Sequence, residues 1–250
     1  MRDNLFRIGT AAIVGSLLFV TTACGGDDDD KKSEAKTTAE ATPTTPATSP
    51  AEAKSPAGGA GSVTPLTQAQ LEAAVLKAEE MPQGTYAAQR DEADGETATP
   101  AECQPLLDLG SPLNGTPKPT ADATASVTFG TPDAMQVVMV EAYSFAPGDA
   151  ETVLAKGREA LAKCASVTAL DSEGESGVTA YAEVQHAKVG DDSLAIGVTP
   201  EGGGALGVIV VRSGSTLFSV SKAEMAGTSP ALPDDALVNK QLEKLVAAAK

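Results

Sequence analysis

Between Gly25 and Ser62 this chain contains no aromatic residue and no valine, leucine, isoleucine or methionine. Such a segment cannot bury enough apolar surface to offset the ~1–2 kcal/mol per residue that ordering its backbone costs. Any packed core must therefore come from the residues that follow. The segment is almost entirely Ala, Thr, Pro, Ser, Glu, Lys and Gly, and it opens with the acidic run Asp27 to Asp30. Proline stiffens it, and Gly58-Gly59-Ala60-Gly61 loosens it. Roughly 40 residues of such chain reach about 35 Å on average. Residues 24–63 are thus expected to be a disordered tether. The aspartate run does not predict a metal site, because hard cations need a shaped cage of oxygen ligands. A solvated spacer is the simpler reading.

The residues before the tether have a different character. Arg2 and Arg7 precede an apolar stretch from about Ile8 to Val20, which gives way to Thr21-Thr22-Ala23-Cys24-Gly25. This is the build of a secretory signal peptide. The apolar stretch is roughly a dozen residues, whereas a membrane-spanning helix needs about 20. A cysteine directly after alanine at the cleavage point resembles the bacterial lipobox, although the leucine usual three positions earlier is replaced by Thr21. The resemblance implies that residues 1–23 are removed and that the Cys24 thiol is lipidated to become the new N-terminus. The protein would then be held on the outer face of the cytoplasmic membrane. The alternative is an ordinary secreted protein with an incidental cysteine.

The net charge is −16. Loss of residues 1–23 removes Arg2, Arg7 and Asp3 and leaves the chain one unit more negative. A strongly acidic exported chain gains nothing electrostatically from nucleic acid or from an anionic membrane surface. The membrane partner expected here is reached through the lipid, not through charge.

Residues 64–250 have the length of one domain. They hold two cysteines, Cys103 and Cys164. In an oxidising compartment an even number of cysteines reads as a disulfide. With Cys24 lipidated only one pairing remains, closing a loop of about 60 residues worth about 4 kcal/mol. There is no CxxC motif, and two distant cysteines with the single His186 do not make a metal site.

Apolar spacing predicts helices over residues 67–80, 100–109, 150–164 and 234–249. The last should present Leu237, Val238, Leu242, Leu245 and Val246 on one face. Alternation predicts strands over 123–130, 135–145, 178–187, 193–199, 206–212 and 216–221. Short Gly-rich connections force the later strands to be antiparallel neighbours. No βαβα alternation is present. The expected fold class is α+β: a largely antiparallel sheet of about six strands with helices packed on it.

A second resemblance begins at Pro100-Ala101-Glu102-Cys103, a Pro-x-x-Cys opening a short helix. It continues through a helix ending in Ala162-Lys163-Cys164, a strand meander and a C-terminal amphipathic helix. Together these resemble the PknH-like extracellular sensor domain over roughly residues 67–250. That family occurs in actinobacteria, attached to receptor-type Ser/Thr kinases or standing alone on lipoproteins. Its members often carry a second cysteine pair and core tryptophans, and this chain has neither. The resemblance implies a ligand-binding extracytoplasmic domain with a cleft and carries over no catalytic residue. The ligand, be it a small molecule, a glycan or a protein, stays open, as do the ligand-binding residues and the oligomeric state.

A search for chemistry ends the same way. His186 is the only histidine and reads as an ordinary strand residue, so no Ser-His-Asp set is expected. Glu141, Glu183, Asp191 and Asp192 are the carboxylates a two-carboxylate hydrolase could use, but acidic residues are common here and most should face solvent. Gly202-Gly203-Gly204 lacks the strand–GxxxxGK–helix setting of a phosphate loop and reads as a hairpin tip. Asn114-Gly115-Thr116 matches a glycosylation acceptor without consequence in most bacteria. Phe129, Tyr143, Phe145, Tyr181 and Phe218 fall in strands, with Tyr86 ahead of them, and are expected in the core. The reading is a non-enzymatic protein with no cofactor. A core of Ala, Val and Leu would give any cavity aliphatic walls, which keeps open a carrier of lipid or another apolar ligand. A structural envelope protein that docks a partner is the third possibility.

Overall fold

The structure, a computed structural model, describes residues 64–82, 85–88, 96–110, 119–131, 136–170, 176–224 and 227–250. The signal peptide, Cys24, the tether with Asp27 to Asp30, and Asn114 to Thr116 lie outside the described residues. Nine strands form one antiparallel sheet. In chain order they are β1 (Tyr86–Ala88), β2 (Thr97–Thr99), β3 (Ala123–Thr131), β4 (Gln136–Ser144), β5 (Ser166–Leu170), β6 (Ser176–Glu183), β7 (Asp192–Pro200), β8 (Ala205–Ser213) and β9 (Thr216–Glu224). The α-helices are α1 (Gln68–Ala74), α2 (Gln104–Gly110), α3 (Asp149–Leu161) and α4 (Asp235–Ala248). Single 3-10 turns cover Ala78–Glu80 and Ala101–Cys103. The α+β class holds. The six expected strands are β3, β4, β6, β7, β8 and β9, and the sheet is wider because β1, β2 and β5 join it.

Strand order is β1-β3-β4-β9-β8-β7-β6-β5-β2. The meander β5 to β9 runs back to the β3–β4 hairpin, where β9 pairs with β4 over its full length. The two edge strands are also neighbours in sequence. Ala88 and Thr97 are nine residues apart, a span of at most about 32 Å. Eight flat strand spacings would separate the edges by about 38 Å. The sheet therefore curls.

Both faces are covered by helices. On β8, Val208 and Val210 point to a first face, and Ile209 and Val211 to a second. The first face packs against α2 and α3 through Leu106, Leu107, Val153 and Leu154. The second packs against α1 and α4 through Leu71, Ala74, Val238 and Leu245. A strand buried on both sides reads as a continuous apolar run, and Leu206 to Val211 is one, broken only by Gly207.

Local chemistry fixes the helices. Thr67 caps α1 in a capping box, with its backbone N–H donating to Gln70 Oε1 at 3.0 Å and its hydroxyl accepting from the Gln70 N–H at 3.4 Å. The helix expected to run to residue 80 stops at Val75, which is extended. It resumes only as the Ala78–Glu80 turn. Gly148 supplies the left-handed entry to α3 with φ 90°. A disulfide joins Cys103 to Cys164 with Cα atoms 5.9 Å apart and ties the start of α2 to the chain just after α3. Gly157 lets these two helices meet, since a Cβ there would lie 1.9 Å from Leu109 Cδ1.

Three glutamine carboxamides complete backbone pairing that the helices and sheet leave open. Gln68 accepts from the Thr124 N–H at 3.1 Å and donates to its carbonyl at 2.7 Å, on the edge of β3 beyond the short β1. Gln104 does the same for the Ala98 N–H and the Glu96 carbonyl beside edge strand β2. Gln241, fully buried on α4, pairs with the Leu76 N–H and the Ala74 carbonyl, both at 3.0 Å. A carboxamide presents one donor and one acceptor side by side, as a neighbouring strand does. The first two blunt sheet edges that would otherwise invite pairing with another chain.

Candidate functional site

A cleft of about 430 Å³ opens on the second face. Four separated segments build it: the chain from Glu80 to Pro82, the facing ends of β3 and β4 at Thr131 and Gln136, the end of β9 at Lys222, and the start of α4 from Pro233 to Lys240. Small-molecule sites run to about 300–1,000 Å³, so the volume fits. Met81, Val138 and Leu237 give the cleft an apolar base that is continuous with the second-face core.

The polar groups sit around that base. Lys240 Nζ donates to the Glu80 carbonyl at 3.1 Å and lies 4.0 Å from Glu80 Oε1. Lys244, one turn further along α4, bonds the Glu80 carboxylate directly and donates to the Val75 carbonyl at 2.8 Å. The Lys244 hydrogen bond holds the Glu80 carboxyl below its ordinary range, against the opposing effect of burial. Lys222 Nζ is 3.4 Å from Glu224 Oε1, which Gln136 also approaches at 3.4 Å. Asp234 occupies the N-cap position of α4 without a capping hydrogen bond from its side chain.

The first face carries a different polar group. Glu141 is buried and accepts from the Tyr143 hydroxyl at 2.9 Å. Ser219 stands opposite Glu141 in register and Ser221 opposite Met139, and both hydroxyls are buried without a hydrogen-bond partner. The cavity lined by Asp108, Tyr143 and Ser219 is only about 10 Å³, which is room for one water at most.

The carboxylates singled out from the sequence do not assemble into a pair. Glu141 has the Tyr143 hydroxyl. Glu183 is exposed at the end of β6. Asp191 accepts from the Gly214 N–H at 2.6 Å and lies 3.6 Å from Arg212. Asp192 is held by a two-pronged contact from Arg158 at 3.0 and 3.1 Å. Burial raises the Asp192 pKa, but the hydrogen bond and charge of Arg158, the Ser193 N–H and the Lys188 charge together outweigh it and the net shift is downward. His186 lies beyond β6 and its Nε2 is 2.9 Å from Asp235 Oδ1, which joins the β6–β7 connection to the start of α4. No serine is placed on its other nitrogen, Nδ1, which is buried and unpartnered. Gly202, Gly203 and Gly204 form the β7–β8 hairpin tip, all with positive φ.

Phe129, Phe145 and Phe218 are fully buried. Tyr181 is buried too, and desolvation, with the nearby Glu96 charge, pushes its phenol up. None of these four offers a stacking face. Among the described residues no group of three or more His, Cys, Asp and Glu side chains could hold a metal, and no helix is long and apolar enough to cross a membrane.

Sequence reasoning named Leu237 only as part of an apolar helix face and assigned none of the cleft residues to a site. One signal was present: Leu237, Lys240 and Lys244 recur at helical spacing, so an apolar face of α4 is flanked by two ammonium groups. The partners of those lysines, Glu80 and Val75, lie about 160 to 170 positions earlier, and no local pattern links the two segments.

No protein family's sequence profile matches this chain, and no curated protein does. The fold does match solved structures. The chain is similar to the extracellular domain of PknH from Mycobacterium tuberculosis, with TM-score 0.51 and 13% identity over 75% of this chain and 98% of that one. It is also matched to an uncharacterized protein of Mycobacterium smegmatis, with TM-score 0.34 and 15% identity over 76% of this chain and 97% of that one. The first similarity establishes a shared fold at a sequence distance where residues are not carried over. It agrees with the fold expected from the resemblance noted around Cys103 and Cys164.

Proposed function

We propose that this protein is a lipid-anchored extracytoplasmic binding protein whose second-face cleft receives a small ligand and that performs no chemistry on it. Residues 1–23 act as the signal peptide and Cys24 as the lipidation site. Residues 24–63 are the tether, and residues 64–250 are the binding domain on the outer face of the cytoplasmic membrane. The cleft is the observation that carries the reading. It has the volume of a ligand site, and its walls combine an apolar base with a few convergent polar groups. The disulfide suits an exported domain. The likeness to a kinase's extracellular domain supports the same placement.

The non-enzymatic part of the reading rests on the engagement of the candidate groups. A general base needs a nucleophile or substrate proton within hydrogen-bond reach. Asp191 and Asp192 are held by the Gly214 N–H and by Arg158, and no serine stands at the buried Nδ1 of His186, although Asp235 orients the ring.

Native mass spectrometry of the full chain extracted from its producing cells tests the proposal. A bound mass is expected on the unaltered protein and should be absent from Leu237→Trp, whose indole fills the cleft base. A bare unaltered polypeptide, or an adduct that survives Leu237→Trp, contradicts it.

A further inference from the structure

His186 is held at one ring nitrogen and bare at the other. Its side chain is only 10% exposed. Nε2 lies 2.9 Å from Asp235 Oδ1 in the first turn of α4, and Nδ1 is buried without a hydrogen-bond partner. A carboxylate accepts and does not donate, so in the neutral ring Nε2 carries the hydrogen and Nδ1 a lone pair. Protonation places a second N–H on Nδ1, a buried donor with no acceptor, which is costly. On either side of the ring, Val184 and Val189 pack into the second-face core and hold the connection in place.

The surrounding charges do not offset that cost. From α4 come Asp235, whose side chain is 70% exposed, and the exposed Asp234 beside it. Both draw a proton to the ring, but solvent screens exposed ion pairs and they return little. The positive end of the α4 dipole acts the other way, as does Lys188, two residues along the ring's own connection. Of the acids flanking that connection, Glu183 is exposed and Asp191 is held by Gly214 and Arg212. The sheet face beneath, at Ala195, Gly197 and Gly207, is uncharged. A proton is therefore accommodated when the ring swings out to water, and that movement gives up the Asp235 contact. A histidine in ordinary surroundings changes charge between pH 5 and 8. We propose that His186 is an acid-released latch on the cleft. At neutral pH it pins the start of α4; in mild acid the start of α4 loosens and the wall at Pro233, Asp234 and Leu237 opens. On the reading of the cleft as the ligand site, the ligand is held at neutral pH and released in acid.

The chain has one histidine, so its imidazole resonances report this ring alone. NMR follows them on the full chain from pH 7.5 to pH 5.5, together with amide exchange corrected for the intrinsic effect of pH. That window stays above the range in which Glu80 gains a proton, since its carboxyl is held below the ordinary 4.5. The amides to watch are Leu237 and Val238, which both bond the Asp234 carbonyl. Their exchange should quicken about tenfold as the ring takes up its proton, the scale of a buried donor left without an acceptor. Exchange in α3, on the other face, should stay unchanged. His186→Gln has an amide that donates to Asp235 and does not titrate, so there the acid effect should vanish. Unchanged or slower exchange at pH 5.5, or the same quickening in His186→Gln, overturns the latch. Native mass spectrometry at both pH values separates latch from cleft. A bound mass lost in acid from the unaltered protein and kept by His186→Gln supports the latch, and loss from both overturns it. Quickened exchange with no bound mass at either pH upholds the latch and removes the cleft as the ligand site.

Discussion

Gly197 and Gly207 face each other across β7 and β8, and together they seat the backbone that leads into α4. A Cβ on Gly207 would lie 2.2 Å from the Ala231 carbonyl oxygen and 2.8 Å from the Leu232 nitrogen. One on Gly197 would meet the Pro230 ring at 3.0 Å. The missing side chains thus set how closely this segment approaches the sheet. Through it they set the position of Pro233, Asp234 and Leu237 in the cleft wall.

Gly207→Ala should therefore destabilise the domain by about 1–3 kcal/mol, as overpacking against backbone does, and weaken ligand binding with it. Gly177→Ala is the control. Its Cβ would meet nothing within 4 Å, and it should stay within about 0.5 kcal/mol of the parent. Urea denaturation of the two variants checks both outcomes. A Gly207→Ala protein as stable as the parent would mean that the segment does not rest on the sheet.

Gln241→Leu should cost about 2–4 kcal/mol in the same assay. The change keeps apolar bulk on α4 but strands the Leu76 N–H and the Ala74 carbonyl, and each buried unsatisfied group costs about 1–3 kcal/mol. A neutral result would show that these backbone groups find other partners.

Reduction of the Cys103–Cys164 bond should lower stability by about 2–5 kcal/mol. For a domain of this size, that moves the melting temperature by several degrees. Calorimetry with and without reductant reads the shift, and no shift would contradict a structural role for the bond.

Acid should loosen the contact between the Ala78–Glu80 turn and α4. The folded pKa of Glu80 lies below its ordinary value of 4.5. Its contribution is therefore fully present above that value and is lost as pH falls through the lower folded pKa. The parent should lose stability relative to Glu80→Gln as pH drops below about 4.5, with the gap between them closing. Melting curves from pH 6 to pH 3 measure it. A gap that is constant with pH would contradict the pairing with Lys244.

Cys24→Ala should release the protein from membranes into the soluble exported fraction. Unchanged fractionation would remove the lipid anchor from the account.

The long strands could be read from the sequence because alternation over eight or nine residues is a strong signal. β1 and β2 could not, since three residues carry no period. β5, Ser166 to Leu170, is five residues long and follows Cys164 after a single residue, too short a run for alternation to stand out. The bonding of Gln68, Gln104 and Gln241 was equally hidden. A glutamine on a helix reads as a solvated residue, and only the fold reveals which backbone groups lie opposite it. The cleft was hidden for the same reason, because Glu80, Gln136, Lys222 and Lys240 belong to four elements brought together by the β4–β9 pairing and the packing of α4.

The most direct test of the cleft as the ligand site is amide hydrogen exchange on the full chain, compared as extracted with its bound mass and after that mass is stripped. The account predicts slowed exchange in α4 from Ala236 to Lys240, at Met81, and at the Gln136 to Val138 start of β4. No slowing there, or slowing confined to α2 and α3 on the opposite face, would contradict it.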